Sequence, residues 1–315
     1  GHAMRGAARP TSGEASDLLP PEVLERLGSL DLVAKTIVRG FISGAHRSPF
    51  VGSGEDFSRH RAYQQGDDVR RLDWRLFART DRLYVRLFQE DSNLQGFFVI
   101  DASESMGFVG DGAVSKLRYS QFVAAALAHV MLRAGDAPGL ASFGADTAFH
   151  LPPRNRPGHL HDLLVGLERI EAHGAGAPSQ ALDEVGDALR RRGRVVLISD
   201  CLFADDGEEF LAAVARLRAR GDEVIVIRVA SRLELGEVEG HAARYFDPEV
   251  PHRVVDAVPG KDPGFRGRVA EYYDRLQRGL EEQGAEYLPL TTDMPLVTAL
   301  GGWLMARARR EARAS

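Results

Sequence analysis

Two aspartates and two serines have the side-chain chemistry and the spacing of a divalent-metal site. Asp101, Ser103 and Ser105 alternate along one short segment that follows an apolar run, and Asp200 follows a second apolar run. Carboxylate and hydroxyl oxygens are hard ligands that suit Mg²⁺ or Mn²⁺, with water completing the coordination shell. Two carboxylates that lie close together would repel each other unless a positive charge lay between them. These residues therefore predict a cation site if the fold brings them together.

The segments before the two aspartates are apolar runs typical of buried β-strands. Similar runs alternate with stretches of helical spacing along the chain. Predicted strands cover residues 96–100, 138–143, 148–151, 194–199, 223–229 and 286–290, and predicted helices cover residues 21–28, 31–42, 115–134, 159–170, 180–191, 208–220, 266–283 and 295–307. This alternation predicts an α/β fold, with a doubly wound, mostly parallel sheet that carries helices on both faces. Ligands of such sheets bind beyond the carboxyl ends of the strands, where Asp101 and Asp200 would lie.

The Asp-x-Ser-x-Ser segment after a strand resembles the metal-ion-dependent adhesion site (MIDAS) of the von Willebrand factor A (VWA) family. The resemblance implies a VWA-like fold in which the hydroxyls of Ser103 and Ser105 contact the metal. It also implies that Asp101 and Asp200 anchor the metal largely through bound water.

A threonine from a middle loop supplies a further hydroxyl in that family, and by spacing its position falls on Gly176. Ser179 is the nearest substitute, but it is out of register. The resemblance therefore implies Mg²⁺ or Mn²⁺ as the cofactor, bound weakly or not at all. A competing interpretation is that Asp101 and Ser103 only cap the next helix or close a turn.

The segment before residue 94 is dense in arginine, aspartate, glycine and aromatic residues. It resembles a bacterial family known as domain of unknown function fifty-eight (DUF58), and the likeness continues through the Asp-x-Ser-x-Ser segment. The residues that carry this resemblance are Arg61, Tyr63, Gly66, Asp67, Asp68, Arg70, Asp73, Trp74 and Arg79. The resemblance implies a MoxR-type AAA+ ATPase as partner, with the protein acting as an adaptor or chaperone-like module. From Gly52 to Glu90 there are eight arginines and seven acidic residues, a near-balance that favours a structural ion-pair network over a phosphate-binding face.

Composition bounds the domain organisation and the compartment. The chain of 315 residues is long enough for one large core, or for one core and a smaller lobe. We predict a tag remnant and flexible lead-in (1–20, with Met4 as the native start), an N-terminal helical and irregular segment that packs on the main domain (21–93), and a VWA-like domain (94–315). A single cysteine and the lack of a membrane-spanning apolar run predict a cytoplasmic protein. A net charge of -5 argues against nucleic-acid binding.

The residues leave three functions open. The favoured one is a non-catalytic protein-interaction module, with partner contacts near Glu104, Met106 and Cys201. The alternative is a metal-dependent hydrolase or phosphotransferase that uses Asp101 and Asp200, although no general base is obvious. The third is a scaffold whose metal site has decayed. The sequence predicts neither the oligomeric state nor the client.

Two further features look chemical and are discounted. His159, His161 and Asp162 resemble metal ligands, but they lie at the start of a predicted helix without further ligands, so we predict a surface location for them. Cys201 lies beside Asp200 and is interpreted as a small apolar filler, not as a nucleophile.

Overall fold

A computed structural model of the protein describes residues 20–46, 60–62, 84–86, 94–203, 205, 207–238, 243–246, 254–257 and 264–314. The lead-in up to residue 19 and the DUF58-like residues from Tyr63 to Arg79 lie outside these ranges, so the predictions made for them stay predictions. Of the residues that carry the DUF58 resemblance, Arg61 alone lies in a described strand.

The order of the elements is a strand–helix alternation from residue 95 onward. The α-helices of the described ranges are α1 (Pro21–Arg26), α2 (Leu30–His46), α3 (Lys116–Arg133), α4 (His159–Glu168), α5 (Pro178–Ala188), α6 (Glu208–Ala219), α7 (Phe265–Glu282) and α8 (Leu296–Ala314). The strands are β1 (His60–Ala62), β2 (Tyr84–Arg86), β3 (Gln95–Asp101), β4 (Ala137–Phe143), β5 (Thr147–Leu151), β6 (Arg194–Ser199), β7 (Glu223–Ala230), β8 (Ala243–Phe246), β9 (Val254–Ala257) and β10 (Glu286–Thr291). A short 3₁₀ turn covers Glu104–Gly107.

The central sheet has six strands in the order β10-β7-β6-β3-β4-β5. All neighbours are parallel except β5, which pairs antiparallel with β4 at the edge. The chain builds the sheet in one direction from β3 to β5 and in the other from β6 to β10, so the order reverses between β3 and β6. Such a reversal opens a crevice at the carboxyl ends of the two strands, which is where ligands bind in open α/β sheets. The predicted fold class, a VWA-like, mostly parallel sheet with helices on both faces, is confirmed.

Two hydrophobic layers cover the sheet. One joins α1, α2, α3, α4 and α8 to side chains on one face, such as Phe98 and Ile100. The other joins α5, α6 and α7 to the opposite face, through Phe97 and Val99 among others. Burial on both faces explains why β3, β6 and β7 are continuous apolar runs without polar alternation. Helix α2 packs against α3, α4 and α8, and α1 belongs to the same layer, so this part of the N-terminal segment packs on the helices that cover the sheet.

Several boundaries differ from the sequence prediction. Helix α8 continues to Ala314, beyond the predicted end at residue 307. The antiparallel pair β8–β9 was not predicted, because strands of four residues are too short for a periodic pattern to be recognised. No helix among the described residues combines the length and the apolar character needed to cross a membrane.

Helix α3 is the central buried helix of the first layer, and its start lies at the sheet edge. Ser115 is its N-cap and accepts a hydrogen bond from the backbone N–H of Arg118 at 3.0 Å. The first helical residue, Lys116, has a side chain with 0% exposure. The positive end of the helix dipole lies here and disfavours the positive charge of a lysine. Its burial there therefore requires compensating negative groups.

Candidate cation site at the sheet edge

The four side chains singled out by their spacing lie together at the carboxyl ends of β3 and β6. Asp101 ends β3, and Asp200 directly follows β6; both are 2% exposed. The Ser105 hydroxyl donates to Oδ2 of Asp200 at 2.7 Å, and the hydroxyl oxygens of Ser103 and Ser105 are 3.2 Å apart. The strand pairing explains this arrangement, because Ile100 is in register with Ile198.

Both carboxylate oxygens of Asp101 accept hydrogen bonds from the chain itself. The backbone N–H of Ser103 donates to Oδ1 at 2.9 Å, and the Ser199 hydroxyl donates to Oδ2 at 2.6 Å. The first bond closes a turn, as the competing interpretation of Asp101 expected. The Ser103 side chain makes no capping bond to the 3₁₀ turn, so that half of the interpretation is wrong.

Asp200 is paired with a buried cation that the sequence analysis missed. The Lys116 ammonium donates to Oδ2 of Asp200 at 2.9 Å and to Oε1 of Glu234 at 2.6 Å. Glu234 is fixed in turn by Ser231, whose backbone N–H and hydroxyl donate to Oε2 at 3.0 and 3.1 Å. The one signal available in the sequence was a lysine in the first turn of a largely apolar helix, where the helix dipole disfavours a positive charge.

Burial and charge act in opposite directions on the two key groups of the cluster. The pKa of Asp101 is raised from 3.8 to about 6, chiefly by burial and also by the neighbouring Asp200 carboxylate, against the lowering effect of the hydrogen bonds from Ser103 and Ser199. Burial alone would lower the pKa of Lys116, but Asp200 and Glu234 outweigh it and raise that pKa above its usual range. Lys116 is therefore a permanent cation, whereas Asp101 takes up a proton in mild acid.

Helix α7 holds the loop after β6 through two tyrosines. The Tyr273 hydroxyl donates to the carbonyl oxygen of Asp200 at 2.9 Å, and the Tyr272 hydroxyl donates to that of Cys201 at 2.7 Å. The backbone N–H of Leu202 closes the turn by donating to Oδ1 of Asp200 at 3.1 Å. Cys201 has a positive φ of 57°, a conformation that a residue with a side chain adopts only when its surroundings impose it.

The middle loop comes close to the Asp-x-Ser-x-Ser segment, but it offers an aromatic ring at the expected threonine position. A Cβ atom at Gly176 would lie 3.5 Å from Cβ of Ser103 and only 2.8 Å from Cε2 of Phe143. Phe143 is a buried ring at the end of β4, so it occupies the space that a threonine side chain would need. Ser179 lies in the first turn of α5. The loop predicted from spacing therefore lies beside Ser103, with a glycine and no hydroxyl at position 176.

The side chains of this cluster do not fit a divalent ion. All four oxygens of Asp101 and Asp200 already accept hydrogen bonds from the chain. One of those donors is an ammonium, which would repel a metal ion held by the adjacent Ser105 hydroxyl. Within the described ranges, no group of three or more His, Cys, Asp or Glu side chains is arranged to hold a metal ion.

The remaining residues singled out by the sequence have mixed positions. Partner contacts were predicted near three residues. Of these, Glu104 is exposed, whereas Met106 and Cys201 have 0% exposure and lie in the hydrophobic layers under the loops. Burial raises the pKa of the Cys201 thiol, which fits its interpretation as a filler. The surface prediction for His159 is wrong: it is 1% exposed, and its Nε2 lies 2.7 Å from the carbonyl oxygen of Pro138.

The raised pKa of Asp101 predicts how stability changes with pH. The folded-state value lies above the unfolded one, so protonation stabilises the fold, and this contribution is lost as pH rises through about 6. An Asp101→Asn variant does not titrate there. In urea titrations of metal-free protein, the wild type should gain about 3 kcal/mol relative to the variant between about pH 8 and pH 4, since one pKa unit corresponds to about 1.4 kcal/mol. A difference that stays constant over this range would contradict the assigned environment.

The chain has a VWA-like α/β fold. Residues 59–250 match the family described as "Protein of unknown function DUF58", and the chain belongs to this family. It is 29% identical to uncharacterized protein Rv1480 of Mycobacterium tuberculosis over 311 residues, which cover 95% of this chain and 94% of that protein.

Solved structures with a similar fold include VWA-domain proteins. Protein BatB from Bacteroides thetaiotaomicron is 18% identical, with a TM-score of 0.44, over 69% of this chain and 99% of that one. The SpRpn10 VWA domain is 11% identical, with a TM-score of 0.42, over 65% of this chain and 92% of that one.

Proposed function

We propose that this protein is a non-catalytic protein-interaction module that acts as an adaptor or chaperone-like partner of a MoxR-type AAA+ ATPase. The observation that supports the proposal is a polar cluster whose carboxylates and ammonium are hydrogen-bonded within the chain, surrounded by loops with exposed side chains. The resemblance of the sequence to DUF58 proteins supplies the class of partner. Such a partner consumes ATP, so the proposal includes a cytoplasmic location.

The chemistry of the cluster supports binding over catalysis. A general base needs a free lone pair on a group that can accept a proton at working pH. Lys116 stays protonated because of its two carboxylate partners, so it cannot accept a proton from Ser105. Asp101 can take up a proton in mild acid, but its oxygens and those of Asp200 are buried and accept hydrogen bonds from backbone N–H groups, serine hydroxyls and this ammonium, so neither carboxylate faces a substrate.

Two neighbouring loops at the sheet edge present apolar side chains next to the cluster. Val109 is 44% exposed and Met294 is 38% exposed. The loops are held together, because Gly112 lies so close to Thr292 that a Cβ atom would be 2.7 Å from its Oγ1. Two exposed apolar side chains on neighbouring loops are suited to contacting a partner protein. The exposed Glu104 belongs to the Asp-x-Ser-x-Ser segment and adds an acidic side chain to the surface of these loops.

Binding to a purified MoxR-type AAA+ ATPase from the same source tests this proposal. We expect biolayer interferometry to show saturable binding that Val109→Glu and Met294→Glu each weaken about tenfold or more, since burying an unpaired charge in an interface is costly. Leu32→Glu is the matched control, because Leu32 is 43% exposed on α2, and it should bind like the wild type. Absence of binding by the wild type, or equal binding by all variants, would overturn the proposal.

A further inference from the structure

The Lys116 ammonium lies between two carboxylates at the carboxyl ends of adjacent strands. Its two partners come from different loops: Asp200 follows β6, and Glu234 follows β7. The Ser105 hydroxyl shares Oδ2 of Asp200 with the ammonium. Lys116 therefore connects the Asp-x-Ser-x-Ser segment, the loop after β6 and the loop after β7 through one positive charge.

The cost of placing a lysine here indicates that its charge has a specific task. The side chain has 0% exposure, and the start of a helix disfavours a cation. A buried ammonium is retained only when carboxylates and hydrogen bonds replace its hydration. Both requirements are met, with contacts of 2.9 and 2.6 Å to two carboxylates and the ring of Phe108 centred 5.8 Å from Nζ.

We propose that the Lys116 ammonium is the resident cation of this sheet edge and takes the place of a divalent metal ion. Three observations support this. The ammonium pairs with Asp200, the carboxylate that accepts a hydrogen bond from the Ser105 hydroxyl. The Phe143 ring fills the space of the missing third hydroxyl beside Gly176. The second carboxylate, Asp101, is satisfied by Ser103 and Ser199.

This inference concerns the ion requirement of the cluster and is independent of which partner the protein binds. It implies that the loops at the sheet edge are ordered without added metal. It also implies that removal of the ammonium leaves Asp101, Asp200 and Glu234 as an uncompensated acidic group, whose side chains then rearrange around a divalent cation drawn to the former position of Nζ.

Titration of the full-length protein with Mn²⁺ alone tests the inference, with calorimetry and Mn²⁺ electron paramagnetic resonance as readouts. We expect the wild type to show no saturable binding at millimolar Mn²⁺. Lys116→Met, which keeps the length of the side chain without its charge, should bind Mn²⁺ at least about tenfold more tightly than the wild type. Lys116→Met combined with Asp101→Asn should lose that binding. Lys35→Met is the matched control, because Lys35 is an exposed lysine on α2, and it should behave like the wild type.

Thermal unfolding with and without Mn²⁺ keeps the test valid if Lys116→Met is only partly folded. Millimolar Mn²⁺ should raise the melting temperature of Lys116→Met and leave that of the wild type unchanged, because a ligand stabilises only the state that binds it. Stoichiometric Mn²⁺ binding by the wild type would overturn the inference. So would a Lys116→Met variant that neither binds Mn²⁺ nor is stabilised by it.

Discussion

Replacement of Lys116 by alanine is expected to lower the free energy of unfolding by about 3–5 kcal/mol, the usual cost of removing one partner of a buried ion pair. The variant leaves the carboxylate of Asp200, which is 2% exposed, without its ammonium partner. The neighbouring Asp101 carboxylate repels the negative charge of Asp200, as the raised pKa of Asp101 indicates. It also removes the link between Asp200 and Glu234. Urea denaturation followed by circular dichroism at neutral pH measures the loss.

Two comparisons separate the charge effect from simple loss of side-chain volume. Lys35→Ala removes an exposed lysine paired with Asp31 on α2, and it should cost less than about 0.5 kcal/mol. Adding Asp200→Asn to Lys116→Ala should recover part of the loss, because the unpaired charge disappears. If Lys116→Ala costs no more than Lys35→Ala, the ammonium does not hold the cluster together.

Replacement of Gly174 by alanine is expected to destabilise the fold by about 2–5 kcal/mol, through a strained backbone and a collision that cannot relax. Gly174 has a φ of 75°, and a Cβ atom there would lie 2.6 Å from both the Cα and the backbone nitrogen of Ala145. Its carbonyl oxygen accepts the backbone N–H of Glu104 at 2.8 Å. The substitution therefore pushes the middle loop away from the Asp-x-Ser-x-Ser segment, and thermal or urea unfolding measures the cost.

Gly158→Ala is the matched control for the backbone contribution. Gly158 also has a positive φ, 81°, but nothing lies within 4 Å of the position of an added Cβ atom. It should cost about 1–2 kcal/mol, the penalty for the left-handed conformation alone. Equal losses in the two variants would show that the close approach of Gly174 to Ala145 contributes nothing to stability.

The position of the two aspartates followed from the sequence, because strand ends of a parallel sheet meet at one edge. Asp101 and Asp200 each follow an apolar run, and the chain alternates strands with helices between them. The pattern did not predict which strands are neighbours; the sheet order makes β3 and β6 adjacent. The alternation of strands and helices in the sequence thus predicted the layers of the fold. The positions of the site residues depend on contacts between segments that are distant in sequence.

The compensating charges could not be found from spacing. Lys116 is 84 residues from Asp200 and 118 residues from Glu234 along the chain, so no motif connects them. The sequence did require a positive charge near two neighbouring carboxylates, and a metal ion was the expected source. The surface prediction for His159 was wrong for a similar reason. The partner of its ring is the carbonyl oxygen of Pro138 on β4, and the sequence pattern does not connect the two residues.

A crystal structure of the protein grown in millimolar Mn²⁺, with anomalous data collected at the manganese edge, tests whether the Lys116 ammonium holds the sheet edge in place of a metal ion. We expect Nζ of Lys116 within hydrogen-bonding distance of Asp200 and Glu234, as in the present structure, and no anomalous peak beside Ser105. An anomalous peak coordinated by the hydroxyls of Ser103 and Ser105, with Lys116 displaced from Asp200, would contradict the claim.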